Sequence, residues 1–386
     1  MGILGHFPFI RSKVGKGIIK ERDFSYFNKM KIGIDTSLIV YQMGISARGS
    51  GNDMTNKQGG LTSHLSGIFD KTIKMLGNQN IPIYVFDGEP PTIKDDTLEE
   101  RDDKKFDATE KMETIDDPNS EDYIKYFQRT FKPTQEDYDE LKIMFDLMGI
   151  PYIQAPGEAD VVLSWLASRY DANEELLIDG VCSNDSDMLV HGSQVLFKDM
   201  FATMNRNPKK CSVFVLETIL TELDITRDQY IDMSVMMGCD FSKRIKDVGP
   251  AKVYNLVKSK GDIQGATDEL KKQNKKLGKQ KFDINDDKIK SMKRARDYFR
   301  NSVNELDDTF KIKKDNITLK KVQFDALMDF MCNKHNFKAN YVESGIRRLL
   351  ICYEKMGIIR ENNNIVHQIS KTAINRGIEC LSSESE

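Results

Sequence analysis

Short apolar runs alternate with helical patterns through the first half of this 386-residue chain, and this alternation limits the possible folds more than any other feature. The runs are rich in β-branched and aromatic residues, and the segments between them repeat apolar residues at helical spacing. Strands are predicted at 31–37, 81–87, 151–154, 176–184 and 193–197, and helices at 61–77, 134–148 and 157–169. We therefore expect an α/β fold with a mainly parallel central sheet flanked by helices on both faces.

Seven acidic residues stand at the ends of apolar runs or in the turns that follow them. They are Asp35, Asp87, Glu158, Asp160, Asp185, Asp187 and Asp240. Because ligands collect beyond the carboxyl ends of parallel strands, several of these acids should share one crevice. Crowded carboxylates repel one another unless cations neutralise them, and Mg²⁺ prefers oxygen ligands. Any one of these acids is better explained as a cap of a turn or helix, but the whole set indicates the metal site of a nuclease.

The composition is typical of a soluble globular protein, with 39% hydrophobic and 30% charged residues. The length suggests two or three domain equivalents, or one large α/β domain with appendages. No apolar run approaches the roughly twenty residues of a membrane span, and no signal peptide is recognised, so we expect neither membrane insertion nor secretion. The six cysteines are scattered without a Cys-x-x-Cys pair, which favours a reducing compartment and argues against zinc ligation and disulfides.

Charge is unevenly distributed along the chain. The formal net charge of -3 would argue against nucleic-acid binding, but residues 271–300 hold 12 Lys or Arg against 4 acids. Residues 94–122 show the opposite bias, with 13 acids against 5 bases. A basic run is often only a solvated helix face. Beside a carboxylate site, however, residues 271–300 are also a candidate track for phosphates.

A long charged segment interrupts the alternating pattern at about 90–133. It has too few apolar residues for a buried helix, so we expect helices that project into solvent. Gly249 and Pro250 precede a predicted helix that runs to about residue 258, and the exposed amides at its start suit a phosphate oxygen. A plain helix–helix turn is the alternative. Further helices are predicted as two short ones within 216–237 and at 289–301, 322–333 and 340–356.

Eight short motifs together resemble the flap endonuclease family of structure-specific 5′-nucleases, and the resemblance runs from residue 1 to about 355. The motifs are Met1-Gly2-Ile3-Leu4-Gly5, Ile34-Asp35-Thr36-Ser37, Thr62-Ser63-His64-Leu65, Val85-Phe86-Asp87-Gly88, Ala155-Pro156-Gly157-Glu158-Ala159-Asp160, Asn184-Asp185-Ser186-Asp187, Met237-Gly238-Cys239-Asp240-Phe241 and Val248-Gly249-Pro250. The resemblance implies a PIN-like 5′-nuclease fold with a helical arch and a C-terminal helix-two-turn-helix DNA-binding region. The corresponding regions are 1–105 and 134–240 for the nuclease, 90–133 for the arch, 241–356 for the DNA-binding helices and 357–386 for a loose polar tail.

The resemblance also implies roles for individual residues. The seven acids would hold two Mg²⁺ ions, for which Mn²⁺ can substitute, and a K⁺ ion would bind at the helix-two-turn-helix turn. Lys94 and Arg101 would contact the scissile phosphate, although surface solvation or a salt bridge is the alternative. Further DNA contacts would come from Tyr41, Arg48, Lys71, Gly249 and Lys252. Tyr41 would stack on a base, with a core role as its alternative.

The chain also departs from the family pattern. Its arch is acidic, with Asp95-Asp96, Glu99-Glu100 and Asp102-Asp103, where the family generally presents bases to a threaded single strand. Asp247 stands where the family usually has Gly, and would either repel phosphate or cap the next helix. No sliding-clamp peptide follows residue 355, so we expect clamp-independent activity. We expect a monomer in the nucleus or another intracellular compartment of DNA replication.

The sequence thus predicts a Mg²⁺-dependent 5′ flap endonuclease and 5′-3′ exonuclease that hydrolyses phosphodiesters of flapped or nicked DNA in replication and repair. The first alternative is a related 5′-nuclease that acts on nicks, bubbles or junctions. The second is a catalytically weak scaffold that binds DNA ends. The complete set of seven acids argues against the second alternative.

Overall fold

The structure, a computed structural model, describes residues 2–15, 17–50, 62–313 and 316–358. A seven-stranded sheet lies at the centre of this described part, in the order β1-β7-β6-β5-β2-β3-β4. The strands are β1 Lys20–Arg22, β2 Lys31–Asp35, β3 Ile81–Phe86, β4 Tyr152–Gln154, β5 Gly180–Cys182, β6 Val195–Lys198 and β7 Cys211–Val215. Strands β2 to β6 pair in parallel, so the mainly parallel sheet is confirmed and the carboxyl ends of β2, β3 and β5 meet at one edge.

Fifteen α-helices surround the sheet within the described ranges. In chain order they are α1 His6–Lys13, α2 Thr36–Ala47, α3 Ser63–Gly77, α4 Asp95–Glu113, α5 Glu121–Arg129, α6 Gln135–Met148, α7 Ala159–Leu166, α8 Asp187–His191, α9 Leu216–Leu223, α10 Arg227–Met237, α11 Pro250–Lys260, α12 Ile263–Leu277, α13 Asp286–Thr309, α14 Phe324–Asp329 and α15 Ala339–Lys355. None of these described helices is long and apolar enough to cross a membrane.

Each face of the sheet carries its own hydrophobic core, because successive side chains of a strand point to opposite faces. In β3, Ile83 and Val85 belong to one core, and Tyr84 and Phe86 belong to the other. Helices α1 and α7 to α13 contribute to the first core, and α2, α3, α6, α14 and α15 contribute to the second. The expectation of helices on both faces is therefore confirmed.

Two antiparallel strands on one side of the sheet, β7 and the edge strand β1, were absent from the sequence prediction. Strand β7 pairs antiparallel with β6, and β1 pairs antiparallel with β7 at the rim of the sheet. The three residues of β1, Lys20, Glu21 and Arg22, are all charged and carry no strand pattern. The strand predicted at 176–184 is also shorter in the structure, since only Gly180–Cys182 is assigned to β5. Leu176 instead forms an isolated bridge with Tyr170.

The arch consists of α4 and α5, which contact each other and bury almost nothing. Ala108 is the buried residue of α4, and α5 has no buried residue. The thin apolar pattern of the segment therefore did indicate exposed helices. Near its end the arch is anchored to α2, where the ring of Phe131 fills the space that a side chain at Gly44 would need. The boundaries of the five regions stay a prediction, and residues 359–386 of the expected polar tail lie outside the described ranges.

The C-terminal helices differ from prediction mainly in length. Helix α13 extends beyond the predicted 289–301 at both ends. The helix predicted at 322–333 is divided between α14 and a π-helical turn, Phe330–Lys334. Helix α13 contacts α7 and α10, so the C-terminal helices pack directly on elements that precede or carry the acids.

Candidate active site

The carboxyl ends of β2 and β3 place the first two acids. Asp35 ends β2 and is the N-cap of α2, where its Oδ1 accepts a hydrogen bond from the Leu38 amide at 3.0 Å. Asp87 follows β3, and its Oδ1 accepts from the Ala159 amide at the start of α7, at 2.8 Å. Both acids therefore make capping hydrogen bonds, as expected of an isolated strand-terminal Asp. These bonds hold the two side chains at the edge of the sheet.

The next four acids lie at the starts of two short helices. Glu158 is the N-cap of α7 and Asp160 lies in its first turn, which is where residues two apart can converge. Asp185 and Asp187 flank the start of α8, and the Asp187 amide donates to Asp185 Oδ1 at 2.9 Å. The remaining acid, Asp240, follows the end of α10 after Gly238, whose φ of 94° requires a residue without Cβ.

Six of the seven acids line a single cavity of about 600 Å³. They are Asp35, Asp87, Glu158, Asp160, Asp185 and Asp240. Asp187 lies behind them, with 3% of its surface exposed, and its Oδ1 has no hydrogen-bond partner among the described residues. The sequence prediction that several of these acids share a crevice therefore agrees with the positions of six of them. The structure places the seventh, Asp187, in direct contact with Asp185.

Burial and mutual repulsion disfavour the charged forms of these acids. Burial raises the pKa of Asp35 to about 8, and the nearby Asp87 adds to the shift. Burial also raises the pKa of Asp160 and of Asp187 well above the usual range, with further contributions from Asp35 and Asp185 respectively. A site with these pKa values either binds protons or requires cations to become fully ionised.

Two cations at the base of the arch pair with the acids. Lys94 Nζ contacts Glu158 Oε1 and lies 3.7 Å from Asp240 Oδ2, and Arg101 Nη2 lies 2.5 Å from Asp240 Oδ2. Burial alone would lower the pKa of Lys94, but Glu158, Asp160 and Asp240 together raise it above its ordinary value. The ammonium group therefore stays charged at the rim of the carboxylate cluster.

The donor set fits Mg²⁺ in chemistry, although the side chains are not arranged around an ion. Among the described residues, no group of three or more His, Cys, Asp or Glu is positioned to hold a metal ion. Lys94 and Arg101 neutralise Glu158 and Asp240 instead. The donors are all carboxylates, and the unpartnered buried oxygen of Asp187 is an unsatisfied acceptor. Both features suit a hard cation that takes oxygen ligands.

Comparison with known proteins identifies the family. Residues 1–108 match the XPG N-terminal domain, and residues 149–240 match the XPG I-region. Flap endonuclease 1 of Glycine max is 31% identical over 359 residues, which cover 92% of this chain and 88% of that protein. The chain belongs to the flap endonuclease family. It is thereby a structure-specific 5′ nuclease, an enzyme that hydrolyses phosphodiester bonds.

Solved structures agree with the fold of this nuclease. Flap endonuclease-1 from Methanococcus jannaschii matches with a TM-score of 0.63 and 26% identity, over 88% of this chain and 98% of that chain. The Holliday junction-resolving enzyme GEN1, in complex with product DNA and Mg²⁺, matches with a TM-score of 0.58 and 16% identity, over 91% of this chain and 78% of that chain. This second likeness shows the shared fold.

The arch of this nuclease presents bases to the cavity despite its acidic composition. Five bases of α4 and α5 line the cavity, whereas Asp107 is the one acid of these two helices on the lining. The bases are Arg101, Lys104, Lys105, Lys111 and Arg129. The six acids that made the arch look unfavourable for a flap are exposed and do not line the cavity; they are Asp95, Asp96, Glu99, Glu100, Asp102 and Asp103. Composition could not show this division, which only the helical arrangement of α4 and α5 creates.

The predicted DNA contacts fall at three separate places. Tyr41 lines the carboxylate cavity, with its ring 5.8 Å from that of Phe131. Arg48 does not line it; its guanidinium lies 4.4 Å from the Phe127 ring and ties α2 to the arch. Lys71 is also away from the cavity, and its Nζ donates to the Phe201 carbonyl at 2.9 Å. Phosphate contact by Arg48 and Lys71 stays a prediction.

The Gly-Pro turn begins α11 as expected. Gly249 is the N-cap and Pro250 is the first helical residue. Lys252 Nζ donates to Gln273 Oε1 at 3.0 Å and lies 3.8 Å from the centre of the Phe282 ring. Asp247 has a φ of 60°, a left-handed conformation that Gly adopts freely and Asp tolerates. The left-handed backbone therefore explains why Gly is suitable at this position. Asp247 does not cap α11, because the N-cap is Gly249 and the helix has no side-chain cap.

Sequence reasoning assigned no role to Gly2, which the structure places against the acids. An added Cβ at Gly2 would collide with Asp185 Oδ1 and lie 2.9 Å from Ser186 Oγ. The following amide, of Ile3, donates to Ser186 Oγ at 3.0 Å. The N-terminal segment therefore closes one side of the carboxylate cluster. Gly2 belongs to the first motif, which was the sequence feature that could have indicated this role.

Proposed function

We propose that this nuclease is a Mg²⁺-dependent 5′ flap endonuclease with 5′-3′ exonuclease activity on DNA. One observation carries the proposal: the cavity has acids on its sheet side and bases on its arch side. A phosphodiester between the two sides would face bound cations and protein cations at once. The similarity to flap endonuclease 1 of Glycine max, which extends over 92% of this chain, supports a flap as the substrate.

Two Mg²⁺ ions would be held directly or through water by the seven acids. They are Asp35, Asp87, Glu158, Asp160, Asp185, Asp187 and Asp240. When bound, such ions supply Lewis-acid stabilisation of the attacking and leaving oxygens and lower the pKa of water. Mn²⁺ should substitute, because it accepts the same oxygen ligands. The carboxylates contribute negative charge, and hydrogen bonds from backbone amides fix the positions of Asp35, Asp87 and Asp185.

Lys94 and Arg101 would contribute positive charge from the protein itself, in addition to that of bound metal ions. Both lie over the acids from the base of the arch, where Lys94 pairs with Glu158 and Arg101 pairs with Asp240. The ammonium group of Lys94 and the guanidinium group of Arg101 would lie beside a scissile phosphate bound between the arch and the acids. There they would stabilise the charge that develops on its oxygens.

Several elements would hold the DNA around this centre. Tyr41 would stack on a base at the cavity, and the inward-facing bases of the arch would contact the single strand. The start of α11 would contact a duplex phosphate through Gly249 and Lys252, with K⁺ bound at the preceding turn. We propose that the enzyme acts as a monomer, independently of a sliding clamp, in the nucleus or another intracellular compartment of DNA replication.

The basic segment at 271–300 should supply affinity that does not depend on DNA sequence. Lys275, Lys276 and Lys279 are exposed near the end of α12, and none has an ion-pair partner in the described part of the chain. Replacing all three with Glu should reduce the slope of log affinity against log salt by about one unit for each phosphate that the protein no longer neutralises. Binding of one flap DNA at several salt concentrations measures the slope, and an unchanged slope would show a solvated face only.

A panel of DNA substrates tests the proposed specificity. End-labelled flap, nick, bubble and four-way junction DNAs would be compared at one salt concentration, with Mg²⁺ and with a chelator. The flap should be cut fastest and only with the metal, and product length would locate the incision. Faster cleavage of bubbles or junctions would favour a related 5′-nuclease. Binding without cleavage of any substrate would favour the DNA-end scaffold.

A further inference from the structure

One aromatic residue of the arch faces the cavity that holds the carboxylates. Tyr126 of α5 lines this cavity from the arch side and is half-buried. The same residue lines a second hollow of about 470 Å³ toward the turn between α4 and α5, together with Lys111 and Thr114. Tyr126 therefore lines both the carboxylate cavity and the hollow toward the turn of the arch.

Three cations surround the ring of Tyr126. The side-chain cation of Lys125 lies 5.1 Å from the ring centre, that of Arg129 lies 5.8 Å away, and that of Lys111 lies 5.9 Å away. Lys111 and Arg129 also line the central cavity, whereas Lys125 pairs with Asp122 at 3.3 Å. An aromatic face beside cations is the arrangement by which proteins hold single-stranded nucleic acids without reading their sequence.

We infer that Tyr126 is a stacking platform for an unpaired base of the 5′ single strand, with Lys111 and Arg129 at the neighbouring phosphates. This inference rests on the proposed function. It concerns a contact between the arch and the flap, separate from the contacts at the carboxylates. Tyr123, one turn earlier, provides a contrast, because it stacks on Phe127 at 6.1 Å between centroids and does not line the cavity. Stacking at Tyr126 tolerates any base but requires one.

Flaps that lack bases test this requirement. Equilibrium binding in Ca²⁺ and single-turnover cleavage in Mg²⁺ would be measured for a flap with normal bases and for one with abasic residues in the part of the single strand that passes the arch. Both flaps keep the base that is proposed to stack on Tyr41, so the comparison reports on Tyr126 alone. The parental enzyme should bind the normal flap on the order of ten-fold more tightly, as expected for one stacked base. Tyr126→Leu should abolish this preference, whereas Tyr126→Phe and the matched control Tyr123→Leu should retain it.

Other outcomes would overturn the inference. An equal affinity of the parental enzyme for both flaps, or a preference that survives Tyr126→Leu, would show that no base stacks on Tyr126. Equal weakening of both flaps by Tyr126→Leu, with the ratio preserved, would assign Tyr126 to packing between α4 and α5. Cleavage of the normal flap by the parental enzyme is scored separately, so failure of the stacking site is distinguishable from failure of the flap endonuclease proposal.

Discussion

Replacing Asp187 with Asn should lower the single-turnover rate of flap cleavage by several orders of magnitude. The side chain keeps its size but no longer supplies a charge to the cluster, and its Oδ1 is the buried acceptor that lacks a hydrogen-bond partner. Metal ions provide several kcal/mol of transition-state stabilisation, and each ~1.4 kcal/mol is worth a factor of about ten in rate. Flap binding in Ca²⁺ should stay near the parental value, since Asp187 does not line the cavity.

Asp103→Asn is the matched control for this substitution. Asp103 is exposed on the arch and does not line the cavity, so the same chemical change there should leave the cleavage rate unaltered. The melting temperature of both variants without metal should be close to that of the parent. Unfolding of the Asp187→Asn protein at ordinary temperatures would instead mark Asp187 as a structural residue, and parental cleavage by this variant would remove it from the metal centre.

Replacing Lys94 with Ala should reduce the cleavage rate by about a hundred- to a thousand-fold, which is the usual cost of removing one preorganised electrostatic partner. Lys94 Nζ lies 3.7 Å from Asp240 Oδ2 and also contacts Glu158, so it is positioned directly over the acids. Flap binding should survive, because one phosphate contact is a small part of the total affinity. Lys94→Arg should recover part of the rate, since it restores the charge.

Lys132→Ala provides the comparison for Lys94. Lys132 has 65% of its side chain exposed and pairs with Asp102 at 3.2 Å, away from the cavity lining. Its removal should leave single-turnover cleavage within two-fold or so of the parent, because exposed ion pairs contribute little. A Lys94→Ala enzyme as fast as Lys132→Ala would show that Lys94 only pairs with Glu158 and takes no part in cleavage.

The strands and the acids were predictable for the same reason. Buried parallel strands require continuous apolar runs, such as Ile83 to Phe86, and these runs mark the edge at which a polar residue such as Asp87 must appear. Asp240 follows a helix in the structure, yet its position after Gly238 could still be read from the motif. The resemblance to known nucleases then added the roles of Lys94 and Arg101, which spacing alone could not supply.

Features that depend on tertiary contacts were not predictable. Strand β1 consists of charged residues and forms only because β7 provides a hydrogen-bonding edge. The arch looked unsuited to DNA because composition counts all of its acids, while the fold directs Lys111 and Arg129 to the cavity. The sequence shows that Lys71 is a cation but not where it lies, and only the fold places it away from the carboxylates.

The dependence of single-turnover flap cleavage on Mg²⁺ concentration tests the central claim most directly. Two ions at the carboxylates predict no cleavage in a chelator, and a plot of log rate against log Mg²⁺ whose slope approaches two at subsaturating metal. The same titration with Asp187→Asn should give a much lower rate at every concentration. Cleavage at the parental rate after complete removal of divalent metal would contradict the assignment of these acids to a metal centre.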